Sequence, residues 1–297
     1  MYFATYLKEG KERLGVLYDE GSKIIDVASI LGEDFSVSML DFIENCDEVM
    51  LEKINGYLQE NKDAEGMEKI GDVKLCAPIP QPRRSVICLG LNYKDHVEEL
   101  KASMGDQAQT PKAPVYFGKM ATDIIGPMDE INSHPNATSE IDYEVELAII
   151  IGKTGMNIPI EEAENYIFGY TILNDLSARD LQKKHAQWIK GKSLDTFTAM
   201  GPYIIHKSTL PLPLNLKIAC KVNDEIRQNS NTSNLIFNIP YIISDLSKGM
   251  TLKAGDIIAT GTPGGVGMGF NPPKYLKTGD VITCTIEKIG ELVNKLK

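Results

Sequence analysis

The sequence contains no Cys-x-x-Cys pair, and its five cysteines (Cys46, Cys76, Cys88, Cys220 and Cys284) are scattered and odd in number. That spacing excludes a disulfide framework and a thiolate zinc site, and it reads as the reduced thiols of a cytosolic protein. No stretch reaches the roughly twenty apolar residues of a membrane span. The opening residues, Met1 to Glu9, lack the apolar core of a secretion signal. A cytoplasmic location with no membrane partner is therefore expected. A basic surplus is missing as well. The formal net charge is −10, so the positive footprint of a nucleic-acid binder is absent. An anionic small substrate stays open, because a few local cations can dominate one pocket. There is no internal repeat, no low-complexity tract, and no Gly-Lys-Ser/Thr closing a P-loop.

The chain has 297 residues, 42% of them hydrophobic, enough for a large core. Residues 1–75 read as a small N-terminal unit. In it, Glu9-Gly10-Lys11 marks a hairpin, and the runs from Ser38 and Val49 carry helical spacing. Pro78, Pro80 and Pro82 stop helix and strand alike and predict a linker. Residues 76–297 alternate strands with Gly/Pro turns. Helices are expected after Asn92 (as N-cap), after Pro159, from Ser177 to Lys184, and after Pro240. Strands dominate without a regular β-α-β rhythm, so the expected class is α+β with mixed sheets.

Three acids alternate in Asp142-Tyr143-Glu144-Val145-Glu146, directly ahead of the apolar run Leu147 to Ile151. Alternate positions of a strand share a face, so the three carboxylates point one way. One reading is a solvated strand face. The other is a buried cluster, where unpaired carboxylates cost several kcal/mol each unless a cation compensates. Asp175 ends a second strand-like run, Gly169 to Asn174, beside the start of a helix, a place where ligands often bind. Glu144, Glu146 and Asp175 could then share one oxygen-rich site, suited to magnesium, manganese or calcium rather than zinc.

Four further segments could carry chemistry. His96 and Glu99 lie three apart on the helix after Asn92, so the carboxylate can orient the imidazole as a general base; a plain surface pair is the alternative. Asp95 and Glu98 read as solvated. Residues 100–114 follow as a polar stretch that could be a lid or a flexible loop. Arg179 and Gln182 lie one and two turns beyond Asp175, where Arg179 could clamp a substrate carboxylate or form a surface pair with Asp180. Lys192, beside Gly191, could stabilise an enolate, serve as a Schiff-base nucleophile, or be an ordinary loop lysine. The Gly261–Gly267 turn could bind anionic oxygens through bare N–H groups, or be only a turn.

The ordered set Gly90-x-Asn92-Tyr93-x-x-His96-x-x-Glu99, Asp142-Tyr143-Glu144-Val145-Glu146-Leu147-Ala148, Asn174-Asp175-x-Ser177-Ala178-Arg179-Asp180-x-Gln182, Gly191-Lys192-Ser193-x-Asp195-Thr196-Phe197 and Gly261-Thr262-Pro263 resembles the fumarylacetoacetate hydrolase family over roughly residues 75–297. The resemblance implies an α+β mixed β-sheet roll with a small N-terminal α/β accessory domain, usually a homodimer. It implies that Glu144, Glu146 and Asp175 hold Mg²⁺ (or Mn²⁺), with Asp142 structural. It gives His96 and Glu99 the activation of water and Lys192 the stabilisation of an enolate. Arg179, Gln182 and Thr262 fall at substrate-contacting positions. The expected activity is hydrolysis of a C–C bond in a small anionic 2-oxo or 1,3-diketo acid. The same parts would serve an oxaloacetate decarboxylase, a 2-hydroxymuconate-type isomerase or a ureidoglycolate lyase. A non-enzymatic metal-binding protein would leave His96, Glu99 and Lys192 without a role.

Overall fold

Glu9 and Gly10 both take positive φ, 52° and 74°, as a two-residue hairpin turn of primed type requires. Tyr2–Lys8 therefore folds back on Lys11–Tyr18 with Lys8 opposite Lys11. The computed structural model that shows this describes residues 1–18, 21–32, 37–60, 66–104 and 110–297.

The hairpin joins a larger structure at once. Tyr2–Lys8 pairs antiparallel with Thr198–His206, which pairs with Ile167–Asp175, then Val145–Ile151, then Ile257–Ala259. Beyond that, Ile257–Ala259 runs parallel to Val86–Gly90, whose other neighbour is Val115–Lys119. One mixed sheet thus crosses the expected boundary near residue 75. The Ala77–Pro82 stretch is not an exposed tether: Ala77 and Ile79 are buried, and Thr5 donates its hydroxyl to the Pro78 carbonyl at 2.7 Å. A second sheet orders Glu225–Asn231, Lys217–Val222, Val281–Ile286, Gly290–Leu296 and Glu130–Ile131. Antiparallel pairing dominates both sheets, which gives the mixed α+β class expected from the sequence.

Both faces of the central strands are covered, which is why Val145–Ile151 and Ile167–Asp175 are buried at every position. One face packs Leu147, Ile149, Ile172 and Tyr170 against the second sheet and the helix Ile239–Ser247. The other packs Ala148, Ile150 and Phe168 against Phe3 and against Phe42 of the helix Met39–Asn45. Such a sandwich can hold carboxylates only where their charge is answered locally.

Several local expectations need correction. Asn92 does not cap the helix, which runs Lys94–Met104. Its amide instead ties three segments together, donating to the Thr260 and Phe237 carbonyls and accepting from the Phe237 N–H. Ser177–Ala178 is a short strand paired with Ile141–Asp142, and the helix starts only at Arg179. After Pro159 the chain forms 3₁₀ turns over Ile160–Tyr166. Among the described residues, no helix is long and apolar enough to cross a membrane.

Candidate active site with a carboxylate cluster

Two neighbouring strands bring the acids together. Val145 lies opposite Asn174 in the ladder, and the Asp175 N–H donates to the Glu144 carbonyl at 2.9 Å. Glu144, Glu146 and Asp175 are thereby stacked at the strand ends, all buried, with an oxygen from each within 4.8 Å of the others. The alternation of acids only partly survives. Asp142 sits in the separate Ile141–Asp142 strand, where it accepts from the Gly267, Met268 and Tyr143 N–H groups and from Arg179 Nε at 2.8 Å. Strand parity alone groups it with Glu144 and Glu146; a break in pairing at Tyr143–Glu144 turns it toward Arg179.

The buried negative charge is answered mostly by cations. Lys192 Nζ bridges Glu144 (2.8 Å) and Asp175 (2.7 Å). Lys119 Nζ reaches Asp175 at 2.5 Å and the Leu176 carbonyl at 2.8 Å. Arg179 spans Asp142 and Glu144, and its Nη1 donates to Gln182 Oε1 at 2.9 Å. Burial alone would raise the Glu144 carboxyl, but Lys192 and Arg179 outweigh it and hold that group at about 2. Burial would likewise discharge Lys192, yet Asp175 and Glu144 keep its pKa above the ordinary value. Glu146 differs. It accepts one N–H, from Gly261 at 2.8 Å, and makes no ion pair among the described residues. Burial first, then Asp175 and Glu144, push its carboxyl well above the ordinary range.

Four carboxylates (Asp142, Glu144, Glu146, Asp175) thus face three cations (Lys119, Arg179, Lys192), so one carboxyl, that of Glu146, is left without a cation in a water-poor place. The donor set is all oxygen, and a carboxylate offers about four lone-pair sites, so acceptor capacity remains beyond the lysine contacts. These residues fit a hard divalent cation such as Mg²⁺ or Mn²⁺.

A cavity of about 260 Å³ opens beside the cluster, lined among others by His96, Arg179, Gln182, Lys192 and Thr262. That is slightly below the roughly 300 Å³ at which pockets for drug-sized ligands begin, a size for a small acid. His96 Nδ1 lies 3.1 Å from Glu99 Oε2, and the Gly265 N–H donates to the other Glu99 oxygen at 2.9 Å. With Nδ1 committed to the carboxylate, Nε2 is the free nitrogen. Thr262 gives its hydroxyl hydrogen to the Val145 carbonyl and accepts from Gln228 Nε2. Residues 105–109 of the expected lid fall outside the described residues; the helix before them reaches Met104.

The glycine turn does bind anions, but they are the protein's own. Gly261, Gly265 and Gly267 donate to Glu146, Glu99 and Asp142. Asp95, read as solvated, accepts the Ser230 hydroxyl at 2.5 Å. Sequence reasoning missed Lys119, which ends the Val115–Lys119 strand; a lysine closing an apolar strand was the available signal. It also missed Gln228, whose side chain links Val145, Thr262 and Pro263. Trp188 received no role, yet its indole lines the cavity and packs so closely on Gly90 that a Cβ there would sit 2.6 Å from the ring. A larger cleft, about 1260 Å³, lies elsewhere, between the Met39–Asn45 and Glu48–Glu60 helices and residues 152–154 and 206–209.

Residues 85–297 match the family model described as fumarylacetoacetate (FAA) hydrolase C-terminal. The chain is 44% identical to oxaloacetate tautomerase YisK of Bacillus subtilis (strain 168), over 100% of both chains. Among solved structures it is similar to a fumarylacetoacetate hydrolase from psychrophilic Exiguobacterium antarcticum, with a TM-score of 0.85, 41% identity, and 100% and 99% of the two chains covered. It is also similar to a maleylpyruvate hydrolase from Sphingobium sp. SYK-6 in complex with manganese (II) ion and pyruvate, with a TM-score of 0.76, 30% identity, and 100% and 98% covered.

Proposed function

The chain belongs to the fumarylacetoacetate hydrolase family, and from that premise we propose that it interconverts the enol and keto forms of a four-carbon 2-oxo diacid, oxaloacetate being the candidate. The observation that carries this reading is the end-to-end 44% match to a protein named for that activity. The site supports it: a fixed cation and one oriented imidazole suffice for tautomerisation.

In the enol-to-keto direction the C2 hydroxyl loses a proton, C2–O becomes a carbonyl, and the C2=C3 electron pair takes a proton at C3. Nothing is consumed. His96, with Nδ1 directed at Glu99, exchanges the proton at C3 through Nε2. Lys192, pinned by Glu144 and Asp175, stays charged and faces the developing enolate as a fixed cation. That state excludes the Schiff-base role, which needs a neutral amine. A divalent cation held by Glu144, Glu146 and Asp175 would supply further positive charge that favours the enolate. Thr262 and Gln182 border the cavity as substrate contacts. Arg179 acts as a brace, since each of its nitrogens already faces an oxygen. On the same reading residues 1–75 form an accessory unit that extends the large sheet.

Hydrolysis of a C–C bond is the second reading, favoured by the likeness to a maleylpyruvate hydrolase. There His96 would take its proton from water. The two are separated by following the enol absorbance of oxaloacetate with Mg²⁺ or Mn²⁺ beside a panel of acylpyruvates and maleylpyruvate. Tautomerisation well above the buffer rate, lost in His96→Gln, supports the first reading. Cleavage of an acylpyruvate with no acceleration of oxaloacetate tautomerisation overturns it.

A further inference from the structure

A diacid substrate sets a charge problem that the buried residues cannot solve. Its first carboxylate and C2 oxygen belong near the carboxylate cluster and its cation. The second carboxylate needs a cation of its own. Three permanently cationic side chains line the cavity: Arg179, Lys183 and Lys192. Lys192 is held between Glu144 and Asp175, and Arg179 among Asp142, Glu144 and Gln182. Moving either would strip a buried carboxylate of its partner, at a cost of several kcal/mol.

Lys183 is in a different condition. It stands one residue beyond Gln182 at the cavity mouth, with its side chain 57% exposed. Among the described residues its ammonium pairs with Glu140 Oε2 at 3.1 Å and makes a long contact with the Tyr275 hydroxyl at 3.5 Å. Glu140 and Tyr275 also bond each other at 3.0 Å, so they remain satisfied if the lysine swings away. An exposed pair of this kind costs little to exchange.

We propose that Lys183 is a specificity-determining residue, which leaves its Glu140–Tyr275 rest position to receive the distal carboxylate of a dianionic 2-oxo acid. The inference rests on the functional reading above, and binding tests it independently of turnover. Trp188 is the chain's one tryptophan and borders the cavity on the side of Gly90, so its emission reports occupancy. The Mn²⁺-loaded protein is titrated with 3,3-difluoro-oxaloacetate, which cannot enolise and carries both carboxylates, and with pyruvate, which carries one.

Lys183→Met is expected to weaken the difluoro-dianion about fivefold, the scale of one partly exposed ion pair, and to leave pyruvate within twofold. Lys183→Arg is expected to restore the preference. Glu140→Gln, which removes the resting partner, is expected to keep or tighten dianion binding. Equal loss for both ligands in Lys183→Met, or no loss for either, overturns the proposal. So does a dianion loss in Glu140→Gln that matches the lysine variant, since the rim network would then be structural. Absence of tautomerase activity in the wild type would defeat the functional reading but leave this titration decisive for Lys183.

Discussion

Replacing Glu146 with Gln should reverse its effect on stability according to whether a divalent ion is bound. Glu146 is 1% exposed and accepts a single N–H. The neutral amide keeps an acceptor for Gly261 and ends the repulsion with Glu144 and Asp175, whose oxygens lie within 4.8 Å and can accept its N–H groups. An unpaired buried ion costs several kcal/mol, but partial protonation already relieves part of that. The expected gain without metal is about 1–2 kcal/mol, or roughly 2–8 °C. Because burial and its acidic neighbours raise the Glu146 carboxyl in the folded chain, the penalty grows as pH rises from the ordinary value of 4.5 through the folded one. The gap between variant and wild type should therefore close as pH falls to 4.5. With divalent ion at a hundredfold excess over its dissociation constant, the wild type gains about 2.7 kcal/mol. The variant, one ligand short, gains far less and falls below it. Thermal melts in EDTA and in Mg²⁺ or Mn²⁺ at several pH values measure all three terms. A variant that melts clearly below wild type in EDTA, or that shares the wild-type metal shift, refutes the reasoning.

Other outcomes follow from the same geometry. Gly269→Ala places a methyl where the Glu99 carboxylate now lies; the flexible carboxylate moves, so turnover should drop about a hundredfold while the melting temperature changes little. Lys119→Met leaves Asp175 with one cation and the Leu176 carbonyl without its donor, and should cost about 3 kcal/mol in urea unfolding. Glu144 is held at about 2, below its ordinary value, so its stabilisation is complete above pH 4.5 and is lost as pH falls toward 2. Acid unfolding of the metal-free protein in that window should be shallower in Glu144→Gln.

Patterns that repeat over short distances were legible in the chain itself. The Glu9-Gly10 hairpin, the apolar strand after Glu146 and the helix around Phe42 follow from local periodicity and turn chemistry, which need no distant partner. The cluster of Glu144, Glu146 and Asp175 was legible for a related reason: uncompensated carboxylates beside buried strands demand an answer wherever the strands go. Tertiary packing alone decided which side chains answer them. Lys119 comes from a strand three places away in the sheet from the Glu146 strand, and nothing near it in sequence marks it as the partner of Asp175. The glycine turn illustrates the same limit. Its bare N–H groups advertise anion binding, but whether the anion is a substrate or Glu146, Glu99 and Asp142 depends on where three separate segments end. Local sequence sets what a group can bind; only the folded chain sets what stands within 3 Å of it.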